Sequence, residues 1–276
     1  MNRQKIRFAA VGDCVVDVYP QQNKVFPGGA AGNVALRAKQ AGAQSSIISA
    51  ICTDKLGRLF PSFYGHHHIN TRYLARLAGN TSQITIVPKE GGIPTFDDWK
   101  IGVLKDFRLT ARHRAFLQRQ DIAYATLFTK TRHIFNAFCT FSLPKSLKVG
   151  DFGGTSPFTT TIETIKKYVH GLDVFVKSIE STDRDSLGFL RTLSKKENKI
   201  AIVLMGKAGS IVYDNGKQFT HRALKVRAVD TTGAGDAYIA HFLVTYFKTK
   251  SIPQAMEQGT KAASRVVTQW GASSSR

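Results

Sequence analysis

Short apolar runs alternate along this chain with longer stretches of helical period. Residues 8–11, 46–51, 84–87, 122–127, 147–152, 174–177 and 200–205 are runs of four to six, rich in Ala, Val and Ile, and they predict strands. Residues 34–40, 110–120, 132–138, 159–170, 184–196, 236–247 and 253–270 carry apolar side chains at helical spacing and predict helices. Thr110 and Ser251 stand where helix caps belong. Strands and helices taking turns predict a mostly parallel sheet with helices on both faces, an α/β/α layering.

Two segments break this rhythm. Asn215-Gly216 between the apolar runs of residues 210–219 is a strong hairpin signal, and it follows Met205-Gly206-Lys207-Ala208-Gly209, a strand that ends in a glycine-bearing loop. Residues 83–105 read as two polar strand-like pieces around the turn Lys89-Glu90-Gly91-Gly92-Ile93-Pro94. No internal repeat, low-complexity tract or linker interrupts the 276 residues, which predicts one domain. Ala272-Ser273-Ser274-Ser275-Arg276 reads as a frayed tail.

Composition adds three constraints. No apolar stretch is long enough to span a membrane, and the chain runs from Met1 into its first strand without a signal-type apolar segment, so a cytoplasmic protein is expected. Cys14, Cys52 and Cys139 lack metal-ligand spacing and read as reduced thiols. The formal net charge of +20 is dispersed, with no nucleic-acid-binding module or basic–aromatic repeat. A solvated basic surface is expected, with no specific nucleic-acid partner and no membrane partner.

The chemistry-bearing segment is Val229-Asp230-Thr231-Thr232-Gly233-Ala234-Gly235-Asp236-Ala237, which leads into an apolar helix. Gly233, Ala234 and Gly235 leave backbone N–H groups uncovered at a helix start, where unpaired amides and the positive end of the dipole bind anions. A carboxylate at Asp236 would repel a resting anion there. It suits a base that takes the proton of a hydroxyl attacking a phosphoryl group. Alone, this remains an ordinary glycine-rich helix start. The second signal is Phe26-Pro27-Gly28-Gly29-Ala30-Ala31-Gly32-Asn33, in which Gly28 and Gly29 let the backbone approach a polar ligand and Asn33 can bond a sugar hydroxyl. Upstream, residues 8–17 form a buried-strand run closed by Asp13 and Asp17, and Asp17 is expected just past the strand end, where open α/β sheets bind ligands.

Competing constellations are absent. No Gly-x-x-x-x-Gly-Lys-Ser/Thr string occurs, and residues 28–32 have the wrong glycine spacing for a dinucleotide fingerprint. His66-His67-His68 lacks a spaced partner and reads as a surface loop.

Taken together, the Gly-Asp-x-x-x-Asp strand end, the Gly-Gly-x-x-x-Asn segment and the Asp-Thr-x-Gly-Ala-Gly-Asp signature resemble the PfkB, or ribokinase-like, family of carbohydrate kinases. The resemblance runs over most of the chain. It implies a ribokinase-like three-layer fold over residues 1–276, with a small β lid built from elements near 14–27 and 83–105. It implies ATP-dependent phosphotransfer to a primary hydroxyl of a sugar or a sugar–amine conjugate such as a fructosamine. The alternatives are a kinase of another sugar or nucleoside, or a non-catalytic binding protein on the same fold. Carried over by position, Asp236 is the base, with Gly233, Ala234 and Gly235 as the anion hole. Asp13, Asp17, Gly28, Gly29 and Asn33 bind the sugar, and Gly206, Gly209, Thr231 and Gly233 bind the nucleotide. ATP and Mg2+ are the implied cofactors. A monovalent cation (K+) near Asp230 and a homodimer through the lid are both compatible with the resemblance. Many family members place Asn-x-x-Glu after the strand that ends at Lys177; Ser178-Ile179-Glu180-Ser181-Thr182-Asp183 stands here instead, so no metal ligand is assigned.

Overall fold

The computed structural model describes residues 5–88, 94–154 and 156–273. Residues 89–93, on which most of the turn expected from sequence falls, and residues 274–276 lie outside them.

In chain order the elements begin β1 (Arg7–Val11), β2 (Val15–Tyr19), β3 (Lys24–Gly28), α1 (Ala30–Gln40), β4 (Gln44–Cys52), α2 (Leu59–His66) and β5 (Asn70–Leu77). They continue with β6 (Gln83–Pro88), β7 (Pro94–Lys100), α3 (Ala111–Leu117), β8 (Ile122–Thr126), α4 (Arg132–Thr140), β9 (Leu147–Asp151) and the single turn α5 (Ile165–Tyr168). The chain closes with β10 (Val174–Ser178), α6 (Arg184–Glu197), β11 (Ile200–Leu204), β12 (Ser210–Asp214), β13 (Lys217–His221), α7 (Ala234–Thr249) and α8 (Ile252–Val266).

Nine strands form the main sheet in the order β13-β12-β11-β10-β9-β8-β1-β4-β5. From β11 through β5 every pairing is parallel, while β12 and β13 close one edge as an antiparallel hairpin. Asn215 and Gly216 supply its turn at φ 48° and 78°, the left-handed backbone that Asn-Gly predicts. Alternation along the strands sorts the core into two layers. Phe8, Tyr124, Val176 and Ile202 pack with side chains of α1, α2, α7 and α8, whereas Ala9, Ala123, Phe175 and Val203 pack with those of α3, α4, α5 and α6. Because β1 is flanked by β4 on one side and β8 on the other, the strand order reverses there. Crevices at the carboxyl ends of strands form at such a switch point.

A second sheet, β3-β2-β6-β7, stands apart from the first. It is assembled from residues 15–28 and residues 83–100. It also corrects one expectation: Asp17 lies inside β2, paired opposite Phe26 of β3, and not beyond the end of β1. The backbone breaks at Gly12–Cys14, and the β-branched run Val15–Tyr19 starts a new strand in a different sheet.

Other boundaries differ for identifiable reasons. Residues 159–170 do not form one helix; the turns Ile162–Thr164 and Val169–Gly171 bracket α5. The Thr159 hydroxyl bonds the carbonyls of Gly154 (2.9 Å) and Ser156 (2.7 Å), the local competition that keeps Ser and Thr out of helix interiors. Helix α1 begins at Ala30, which places Asn33 in its first turn. Helix α8 stops at Val266, and the tail folds back: Ala272 is fully buried and Ser273 nearly so, against the expectation of fraying. The histidine triplet is not wholly loop, since His66 ends α2 and His67 caps it. Strand β5, absent from the predicted set, buries Tyr73 and exposes Arg72 and Arg76, too weak an apolar pattern to register.

Candidate active site

The site forms where the starts of α1 and α7 meet at the carboxyl edge of the main sheet. Asp13 follows β1 and caps α1. One carboxylate oxygen accepts from the Ala30 amide (2.9 Å), and the other accepts from the Ala31 amide (3.2 Å) and the Thr126 hydroxyl (3.1 Å). Grouped on sequence with the sugar-binding residues, Asp13 has both oxygens engaged by protein donors and is 3% exposed, so it builds the site from behind.

Asp17 is the opposite case. It is 4% exposed, and its Oδ2 has no hydrogen-bond partner among the described residues. A Cβ on Gly28 would stand 2.2 Å from that oxygen, so only glycine permits β3 to pass so close. Burial, reinforced by Asp13, Asp236 and Asp230, holds the Asp17 carboxyl well above the usual carboxylate range. A buried acid group left without a partner is costly unless a ligand completes it. Gly29 follows Gly28 directly and precedes α1.

Gly233 precedes α7 at φ 77°, and a Cβ there would fall 2.5 Å from that of Ala272. Glycine is thus required both by backbone and by contact. The amides of Ala234, Gly235 and Asp236 head the helix, before any i−4 carbonyl exists for them. Ala237 is the first whose amide finds such a partner, the Gly233 carbonyl at 3.0 Å. Ala234 already donates to the Thr231 carbonyl at 3.2 Å, so a candidate anion hole here would rest more on its neighbours than the three-residue motif suggests.

Asp236 lies half-buried in this first turn, and Asn33 Nδ2 donates to its Oδ2 at 2.9 Å. Burial pushes its carboxyl up to about 8; the Asn33 bond and the Arg37 charge oppose the rise, and Asp151 and Asp13 add to it. Asp230 is 1% exposed and anchors the loop before the hole. Its Oδ1 accepts from the Thr232 amide (2.9 Å) and hydroxyl (2.6 Å), and its Oδ2 accepts from the Tyr19 hydroxyl (2.8 Å) and the Gly271 amide (3.0 Å). Four protein donors therefore engage the carboxylate, which orients the loop, one of the two roles open to Asp230 on sequence beside proximity to a monovalent cation.

The nucleotide-side candidates are adjacent. A Cβ on Gly235 would stand 3.6 Å from Leu204 Cδ1, so the start of α7 lies against the end of β11. The exposed Gly206 opens the turn Gly206–Ala208 there with free space around it. Gly209 has a packing role: a Cβ would meet the His221 carbonyl at 2.1 Å. Thr231 precedes the hole.

Several residues that sequence reasoning did not single out join the site. Asp151 ends β9, accepting from Tyr124 Oη (2.7 Å) and the Gly153 amide (2.8 Å), and burial raises its carboxyl. Its signal was an acid closing a buried strand. Lys177 is 6% exposed and donates to the carbonyls of Gly154 (3.1 Å), Phe152 (3.2 Å) and Thr160 (3.4 Å). It lines a cleft of about 490 Å³ with Glu180 and Asp183. Asp183 caps α6 through the Ser186 amide (3.0 Å), which leaves Glu180 as the uncommitted acid of that pair. Arg37, one turn beyond Asn33 on α1, donates to the Ala272 carbonyl and fastens the tail.

Comparison with known proteins shows the family. The model of the pfkB family of carbohydrate kinases matches residues 6–131 and 162–276. A fructoselysine 6-kinase of Shigella flexneri is 32% identical over 267 residues, covering 96% of this chain and 98% of the relative. The fructosamine kinase FrlD of Bacillus subtilis is 24% identical over 97% of this chain and 93% of its own length. Among solved structures, Arabidopsis thaliana ribokinase complexed with ribose and ATP superposes with a TM-score of 0.79 at 18% identity, over 98% of this chain and 95% of that one, a likeness of fold. With its family model matched at both ends and its helix start armed with Asp236, the chain belongs to the pfkB family of carbohydrate kinases.

Proposed function

We propose that this carbohydrate kinase transfers the γ-phosphoryl group of ATP to a primary hydroxyl of a fructosamine, with fructoselysine as the first substrate to test. The observation that carries the reading is Asp236: a carboxyl whose pKa of about 8 suits a general base, fixed by Asn33 within a helix turn whose Gly235 and Asp236 amides precede any i−4 carbonyl. In this reading Asp236 accepts the hydroxyl proton as the oxygen attacks. The amides of Gly233, Gly235 and Asp236, with a lesser share from Ala234, stabilise charge on the transferred group. Asp17, with its buried unpartnered oxygen, bonds the sugar; Gly28 and Gly29 let the sugar approach the backbone, and Asn33 holds both sugar and base. Sheet β3-β2-β6-β7 acts as the lid that excludes water from the transfer.

ATP would lie along Gly206, Gly209, Thr231 and Gly233. Among the described residues no three His, Cys, Asp or Glu side chains converge into a metal cage. That donor set suits Mg2+ carried on the nucleotide phosphates and water, with Glu180 as its protein carboxylate. When bound, Mg2+ supplies charge neutralisation at the phosphates. Among the described residues no helix is long and apolar enough to cross a membrane, and the three cysteines are free thiols, as a reducing cytoplasm would keep them. Val25, 44% exposed on the outer strand β3, is the residue a homodimer through the lid would cover.

The test is a panel of fructoselysine, other fructosamines, fructose, ribose and nucleosides with Mg-ATP. ADP release on fructoselysine that disappears in Asp236→Asn supports the reading. Turnover on a different sugar replaces the substrate and keeps the chemistry. Release with none of them favours a binding protein that keeps the fold.

A further inference from the structure

One buried hydroxyl joins the sugar side of the site to its phosphate side. Tyr19 is the last residue of β2, two positions from Asp17, so the two side chains leave the strand on the same face. It is 1% exposed. Its hydroxyl donates to Asp230 Oδ2 at 2.8 Å and lies 3.3 Å from Thr232 Oγ1. Thr232 is in turn held to Asp230 Oδ1 by its amide and its hydroxyl, and the next residue is Gly233, the left-handed start of the anion hole. The chain of contacts from the unpartnered Asp17 carboxylate to the hole is thus two residues of one strand, one phenol and one carboxylate.

The ring of Tyr19 is gripped as well. It meets Phe26 of β3 edge to face at 5.7 Å and Trp270 of the tail at 6.5 Å. A Cβ on Gly271 would stand 3.1 Å from the Phe26 ring, and the Gly271 amide donates to the same Asp230 oxygen as Tyr19 does. Small sheet, tail and Asp230 loop therefore share a single packed junction. If the sugar bound at Asp17 draws β2 to a new position, the Tyr19 hydroxyl carries that shift directly to Asp230 and Thr232.

Resting on the fructosamine-kinase reading above, we propose that Tyr19 is a positioning residue that couples sugar binding to the setting of the anion hole, so that the amides around Gly233 take up their phosphate-binding arrangement when β2 is fixed by the sugar. Tyr19 touches neither reactant in this account; it acts through Asp230 and Thr232.

The test is a linkage measurement on the full-length protein. Mg-ADP affinity is measured by calorimetry with and without a saturating amount of the sugar that gives turnover in the panel, for the parent and for Tyr19→Phe, which keeps the ring and removes the hydroxyl. Sugar should tighten Mg-ADP binding about 5-fold or more in the parent, and the factor should fall below about 2 in Tyr19→Phe. The affinity for each ligand alone should change less than about 3-fold, while kcat falls about 10-fold and the KM for ATP at saturating sugar rises by about the coupling factor lost. A purely structural tyrosine would lower both affinities and thermal stability together and leave the coupling factor unchanged. Coupling retained in Tyr19→Phe, or absent from the parent, overturns the proposal while the kinase reading stands. Turnover with no sugar removes the reading and the proposal with it. Should Tyr19→Phe fail to fold, Thr232→Val, which cuts the same connection from the other side, is measured in its place and judged by the same factor.

Discussion

Asn33 and Asp236, 203 positions apart in sequence, meet at 2.9 Å where the first turns of α1 and α7 face each other. The amide of Asn33 donates to the carboxylate, so it favours the ionised form of a group that burial drives toward the neutral one. Replacing Asp236 by Asn keeps the shape and removes the base. We expect kcat to fall about 100-fold to 10,000-fold, with sugar and nucleotide affinities little changed. Steady-state kinetics alongside calorimetry will separate this from a loss of binding; residual turnover above a tenth of the parent rate would remove Asp236 from the mechanism.

The same contact sets the pH dependence. With the Asp236 carboxyl at about 8, kcat/KM should rise tenfold per pH unit below that value and level off above it. Asn33→Ala removes the bond that favours the carboxylate, so the rising limb should move to higher pH. Its position is the readout, because Asn33 also contributes to sugar binding and its loss lowers the whole profile. A limb that stays in place, or moves to lower pH, contradicts the assignment.

Stability should follow the opposite course. A carboxyl raised on folding binds its proton more tightly in the native state, so its contribution is fully present below the unfolded value near 4 and is lost as pH rises through about 8. Asp13, Asp17 and Asp151 are raised in the same direction. The protein should therefore melt at falling temperature from about pH 5 to pH 9. Asp236→Asn should flatten the decline and melt a few degrees higher than the parent at pH 9, with little difference at pH 4, each kcal/mol shifting Tm by about 2–4 °C. Scanning calorimetry across that range checks the sign.

Much of the fold, and the segments that meet at the candidate site, could be read before any coordinates, and the division has a physical basis. The helix start at Gly233 was legible because a glycine-rich helix start is a local backbone event, written in consecutive residues from Gly233 to Asp236. The layering was legible because apolar period reports it; β1, β8 and β11 fall where their Ala- and Ile-bearing runs lie. What escaped depends on contacts between distant segments. Ala272 and Ser273 look like solvated tail, yet both are buried; Ala272 packs against Arg37 and Gly233, over 200 and about 40 positions away, respectively. Asp13 and Asp17 look alike in sequence. Only the turn at Gly12–Cys14, which keeps Asp13 in the loop after β1 and sends Asp17 into a strand of the second sheet, makes one a helix cap and the other an acid whose Oδ2 has no partner among the described residues. Tyr19 carried no motif at all.

Gly28 offers a test of the sugar side alone. A methyl group there would overlap Asp17 Oδ2 at 2.2 Å, so Gly28→Ala must push the carboxylate aside or move β3. KM for the sugar should rise about 10-fold or more, which corresponds to roughly 1.4 kcal/mol of lost binding, while Mg-ADP affinity without sugar stays within about 2-fold. If the sugar KM is unchanged, Asp17 does not hold the substrate.

The tail makes the last prediction, and its logic joins fold to function. Ending the chain after Gln269 removes Trp270 from Tyr19, the Gly271 amide from Asp230, the Ala272 carbonyl from Arg37 and the Ala272 methyl group from Gly233. Arg37 is buried, and its Nε already lacks a partner among the described residues, so the loss leaves a charged group still less satisfied. Losing an acceptor for a buried charge costs about 1–3 kcal/mol or more, and the Asp230–Gly233 loop before α7 loses its backing at the same time. We expect a melting temperature lower by about 3–10 °C and a kcat lower by at least about 10-fold, since the hole is no longer held in shape. Ending the chain after Ser273 keeps every one of these contacts and is the matched control, which should behave as the parent does. A shortened protein that melts lower but turns over at the parent rate would confine the tail to stability; one that loses rate beyond what its unfolded fraction explains would show that the C-terminal residues are part of the machinery that presents the Gly233 amides.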